Sequence, residues 1–140
     1  MKKQQRGVAM LEVLIAFFVL SIGLMGLAGM QLKALQFNQG SYQRSQATLA
    51  AYNMMDRMRL NTAATTGGQY NIAWTGTGPG NGSVPQSDLT SWLTTVSGNL
   101  PNGQGSIACD VNRICTVSIR WSDKFAAVGT WEVVSLSSQI

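Results

Sequence analysis

Glu12 is the residue whose placement most needs a chemical reason. It lies near the start of an otherwise apolar run, Val8 to Met30. An acid at the centre of a membrane helix costs roughly 2.5 to 3.5 kcal/mol, so such groups usually have a partner and a task. The other chemistry-bearing residues are sparse. Cys109 and Cys115 flank the segment Asp110 to Ile114, and a bond between them would close a loop of about seven residues, contributing roughly 2 to 2.5 kcal/mol on the chain-entropy account. Two free thiols or half of a metal site are the alternatives, but two Cys and no His fall short of a self-contained zinc site. Asp88, Asp110, Asp123 and Glu132 are spaced with no sign that any two converge as an acid and base pair. Without His there is no Ser-His-Asp or Cys-His arrangement, and no serine sits in a G-x-S-x-G turn. We expect no catalytic residue, no metal and no cofactor.

The elements that position these residues follow from periodicity. At ~1.5 Å per residue a helix over Val8 to Met30 is about 35 Å long, enough for a hydrocarbon core of ~30 Å. Gly23, Gly26 and Gly29 recur every three residues within it, which suits close helix approach in a membrane or local loosening of the helix. From Gln31 to Asn61 the pattern becomes amphipathic: Leu32, Leu35, Tyr42, Leu49, Tyr52, Met55 and Met58 form an apolar face, while Gln36, Asn38, Gln39, Gln43, Arg44 and Gln46 suit exposure. The membrane helix therefore continues as an amphipathic one, with a bend expected at Gly40.

Asn61 to Gln86 reads as an irregular connection rich in Thr, Gly and Asn. Its alternating glycines, Gly76 to Gly82, lack the Gly-Lys-Ser/Thr ending of a phosphate loop. A short helix follows, capped by Ser87 with Asp88 in its first turn, striped by Leu89, Trp92, Leu93 and Val96, and closed before Pro101. Three strands are expected near Gly105 to Asp110, Ile114 to Ser122 and Thr130 to Leu136. The fold class is α+β: a long N-terminal helix, its first half membrane-spanning, packed on a small antiparallel sheet. The divisions are residues 1–7, a leader; 8–30, the spanning helix; 31–61, its continuation; and 62–140, a globular head.

Charge narrows the partners. Ten Lys and Arg against six Asp and Glu give a net +4. Lys2, Lys3 and Arg6 all lie before Gly7, and without them seven basic residues face six acids. Nucleic acid is thus not an expected partner. The basic leader fits retention on the cytoplasmic side of a membrane, which directs the rest of the chain outward. The apolar run is longer than the 7 to 15 residues of a secretory signal.

Lys2, Lys3, Arg6, Gly7, Val8, Ala9, Met10, Leu11 and Glu12 together resemble the class III prepilin signature of type IV pilins and type II secretion pseudopilins. The resemblance implies cleavage between Gly7 and Val8 by a prepilin peptidase, N-methylation of Val8, and Glu12 as the fifth mature residue. Val8 stands where the family usually has Phe. Cleavage also creates an α-amino cation with a pKa near 8. In a staggered helix bundle the Glu12 carboxylate of one subunit can meet the amine of its neighbour, so that neither charge stands alone in lipid. Glu12 then sets the axial register of assembly. The plainer alternative is an interfacial acid favoured by the N-terminal helix dipole.

Three later segments, Ser87 to Leu93, Leu100 to Ile107 and Cys115 to Trp121, resemble the PilV family of minor pilins. That resemblance implies a subunit that primes type IV pilus assembly and supports twitching motility and adhesion. The implied partners are other minor pilins, the major pilin, the prepilin peptidase and the inner-membrane assembly platform. The implied location is the inner membrane, single pass with a periplasmic head, and then the pilus. A type II secretion minor pseudopilin and a membrane-anchored periplasmic binding module are the competing readings.

Overall fold

The computed structural model describes residues 6–122 and 129–140, with the backbone alone for 6–9. Lys2 and Lys3 of the leader, and Asp123, lie outside the described residues. The chain forms two compact units, Met1–Gln39 and Gly40–Ile140.

Helix α1 covers Arg6–Leu60. The first proline in the chain is Pro79, so nothing in this stretch removes a helical N–H or forces the ring clash that stops a helix. The chain stays helical through Gly40, where a bend was expected. In the first unit every described residue from Met10 to Leu35 is exposed.

The second unit is a small α+β domain built on the last third of α1. After α2 (Thr62–Thr66) come β1 (Ile72–Thr75), α3 (Val84–Asn99), β2 (Gln104–Cys109), β3 (Ile114–Ser122) and β4 (Trp131–Gln139). The four strands form one antiparallel meander in the order β1-β2-β3-β4. Alternation along β3 turns Cys115, Val117, Ile119 and Trp121 inward. They join Ile107 of β2, Leu89, Trp92, Leu93 and Val96 of α3, and Ala47, Ala51, Met54, Met55 and Met58 of α1 in a single core.

Three expectations need correction. The face of α1 that packs on the sheet is Gln43, Ala47, Ala51, Met54, Met55 and Met58, whereas Leu32, Leu35, Tyr42, Leu49 and Tyr52 are exposed. Short alanines let the sheet and α3 come close, and flexible methionines fill what remains. Trp92 illustrates the approach, donating its indole N–H to the Ala50 carbonyl at 3.0 Å. Gln43, expected in solvent, is 8% exposed because its Oε1 accepts the buried Trp121 indole N–H at 3.1 Å.

Residues 61–86 are also more ordered than their composition suggests. They contain α2, the four-residue strand β1 and the first turn of α3. The cap of α3 is Ser83, whose Oγ accepts from the Gln86 N–H, and the Ser87 N–H is already bonded to the Ser83 carbonyl at 2.9 Å. Pro85 sits in the first turn, where its missing N–H costs nothing. The glycine loop before it docks on α3: Thr90 Oγ1 accepts from the Gly80 N–H at 3.0 Å and donates to the Gly80 carbonyl at 2.7 Å. A Cβ at Gly78 would stand 2.3 Å from Thr90 Cα, so this close approach requires glycine.

Finally, the described residues form four strands where three were expected, and β4 runs to Gln139. β1 reads Ile-Ala-Trp-Thr, too short to show alternation, and its register against β2 shifts between Ile72 and Thr75.

Candidate assembly surfaces

In the first unit the apolar side chains of α1 from Met10 to Leu35 are exposed, with no cover among the described residues. Phe18 and Ile22 are each 71% exposed and Met25 is 78% exposed. A Cβ at Gly23, Gly26 or Gly29 would meet nothing within 4 Å, so packing inside the chain does not account for these glycines. Among the described residues α1 is the one helix long and apolar enough to cross a membrane. The twelve Leu, Ile, Phe and Val residues between Val8 and Leu27 favour insertion by about 4 to 7 kcal/mol at roughly 0.3 to 0.6 each. That exceeds the cost of Glu12, which lies toward the end of the span. The carboxylate is exposed and makes no hydrogen bond or ion pair among the described residues. Gly7 and Val8 fall in the backbone of α1, and nothing is described of the Val8 side chain.

Residues 2–28 match the prokaryotic N-terminal methylation motif. The match takes in Gly7, Val8 and Glu12 and supports a type IV pilin or pseudopilin. It also points to a structural subunit rather than an enzyme, and with the apolar helix it fits membrane anchoring. No curated protein and no solved structure matches the chain.

Asp88, Asp110 and Glu132 of the second unit each have their own partners. Asp88 accepts from Arg57 Nη1 at 3.1 Å and from the Tyr70 hydroxyl at 2.7 Å. Tyr70 is fully buried, and burial, reinforced by that bond to Asp88, pushes its pKa up to about 12. This cluster ties the end of α1 to α3 and the α2–β1 turn. Asp110 organises the β2–β3 turn, its Oδ1 accepting from the N–H groups of Asn112 at 2.9 Å and Ile114 at 2.8 Å. Glu132 on β4 pairs with Arg44 on α1. No two of these carboxylates share a site, and no group of three or more His, Cys, Asp or Glu that could hold a metal occurs among the described residues.

Cys109 and Cys115 face each other across the β2–β3 register and are joined in a disulfide. Arg113, at φ 61°, supplies the left-handed residue that closes the turn between them.

Sequence reasoning passed over the outer face of the sheet. Arg120 lies between Trp74 and Trp131, with its guanidinium carbon 4.5 and 4.8 Å from the two ring centroids. Nε and Nη2 both donate to Gln104 Oε1, at 2.9 and 2.7 Å. Below this cluster lie rows of small hydroxyls, with Ser118 bonded to Ser135 and Thr116 to Ser137, each at 2.8 Å. The alternation of β3 places Arg120 on this face, but Trp74 could be placed there only once β1 was known to be a strand.

Proposed function

We propose that the chain is a minor pilin subunit that helps initiate or prime type IV pilus assembly and so supports twitching motility and adhesion. The observation that carries this reading is a methylation motif at residues 2–28 on a spanning-length helix whose apolar residues from Met10 onward and Glu12 are exposed and have no partner among the described residues. Such a helix is stable in lipid or against other helices, and a subunit that passes from one to the other uses both.

On this reading prepilin peptidase cuts between Gly7 and Val8, Val8 is methylated, and the Glu12 carboxylate meets the α-amino group of a neighbouring subunit. The head faces the periplasm, where the Cys109–Cys115 disulfide persists, and then enters the pilus with the other minor pilins and the major pilin. Deleting the gene and assaying both twitching and type II secretion tests the assignment. Loss of twitching with secretion intact is expected. Loss of secretion with twitching intact would assign the chain to a pseudopilin fibre instead, and loss of neither would favour an anchored binding module.

A further inference from the structure

Two peptide bonds in the chain join Asn to Gly, at Asn81–Gly82 and Asn102–Gly103. The backbone nitrogen that follows an asparagine can close a five-membered ring on the side-chain amide carbon. Glycine, with no Cβ, leaves that approach unobstructed and lets the backbone turn into it. Whether the ring closes then depends on how each pair is held.

Asn102–Gly103 is held at both reacting groups. Asn102 Nδ2 donates to Ser122 Oγ at 3.0 Å, and the Gly103 N–H donates to the Leu100 carbonyl at 3.0 Å. Gly103 is buried, and a Cβ there would stand 2.5 Å from the Val96 carbonyl oxygen. Ring closure at this pair would break both bonds and turn a packed backbone.

Asn81–Gly82 is the opposite case. On one side Gly80 is clamped to Thr90 through both its N–H and its carbonyl, and on the other Ser83 caps α3. The two residues between these anchors are exposed, and neither the Asn81 side chain nor the Gly82 N–H makes a hydrogen bond among the described residues.

We propose that Asn81 is a site of spontaneous deamidation in the folded protein, and that Asn102 is protected. The Gly82 nitrogen, having given its proton to solvent base, attacks Asn81 Cγ. The N–Cγ bond forms, the Cγ–Nδ2 bond breaks, and the amide nitrogen takes a proton from water and leaves as ammonia. Water then opens the cyclic imide. Addition at Cγ gives an aspartate at position 81, and addition at the main-chain carbonyl gives an isoaspartate, whose backbone runs through Cγ and is one carbon longer. Either product adds a negative charge just ahead of the N-terminus of α3, a place that favours an anion. The isoaspartate also lengthens the link between the Thr90 clamp and the Ser83 cap. The proposal does not depend on the pilin reading.

Peptide mapping by mass spectrometry tests it, on full-length protein in detergent micelles incubated at mildly alkaline pH, both folded and in concentrated urea. In urea the two Asn-Gly pairs should convert at similar rates, since the fold no longer distinguishes them. In the folded protein position 81 should convert at least several-fold faster than position 102 and yield isoaspartate. Gly82 does not have a positive φ, and a Cβ there would meet only the flexible end of Gln86, 2.6 Å from Oε1. Gly82→Ala should therefore fold normally, slow conversion at position 81 several-fold and leave position 102 unchanged. Equal rates at the two positions in the folded protein, or conversion at position 81 in urea only, would overturn the proposal.

Discussion

Trp121 on β3 donates its indole N–H to Gln43 on α1 at 3.1 Å, and both side chains are buried. This is a buried polar contact between α1 and the sheet, at the Gln43 end of the packed helix face. Replacing Gln43 by Leu leaves a buried donor without a partner, at a cost of about 1 to 3 kcal/mol. The expected outcome is a lower urea midpoint for Gln43→Leu in full-length protein, followed by near-UV circular dichroism. Adding Trp121→Phe should cost less than the two single changes summed, since no donor is then left unpaired. An additive pair would show that the bond carries no coupling.

Gly105 on β2 lies under the Trp92 ring, where a Cβ would stand 2.3 Å from Cη2. That atom belongs to a rigid indole held by its bond to Ala50, so the ring cannot swing aside cheaply. Gly105→Ala should destabilise the domain by about 1 to 3 kcal/mol, the usual cost of overpacking. Combining it with Trp92→Phe, which removes the colliding atoms, should recover part of the loss in thermal unfolding.

Tyr70 gives the domain a dependence on alkaline pH. Its folded pKa is raised from 10.0 to about 12, so the folded state holds the proton more tightly than the unfolded chain. The resulting stability is complete below pH 10 and is lost as pH rises toward 12. Urea midpoints across that window should fall more steeply for the unsubstituted chain than for Tyr70→Phe. Parallel curves would contradict the assignment.

Glu12 should matter for assembly and little for anchoring. The helix keeps its favourable insertion energy without the acid, so Glu12→Gln should remain in the membrane fraction and still be processed. It should be lost from sheared fibres, because a neutral amide cannot offset a neighbouring α-amino cation. Normal incorporation of Glu12→Gln would leave the acid with no role in register.

The sequence was most informative where periodicity was strong and one face decided burial. The strand through Val117, Ile119 and Trp121 and the stripe Leu89, Trp92, Leu93 and Val96 were legible because alternate or helical spacing coincides with the buried face. The face of α1 was misread because hydrophobicity was taken as burial. Tyr42, Leu49 and Tyr52 are larger and more apolar than Ala47 and Ala51, yet close approach to the sheet selects the small residues. β1 and the early start of α3 were hidden in a segment rich in turn-forming residues, since their order comes from pairing with β2 and from the Thr90 contacts with Gly80. Of the assembly surfaces, the N-terminal motif was fully legible, being local. The Trp74–Arg120–Trp131 cluster was not, because it joins three strands that only the meander brings together.

The central claim is that this chain follows the prepilin route, and the most direct test is the N-terminal mass of the protein from native membranes with and without its prepilin peptidase. The account predicts a peptidase-dependent terminus at N-methylated Val8. An intact Met1 in the presence of the peptidase, or cleavage at a bond other than Gly7–Val8, would contradict it.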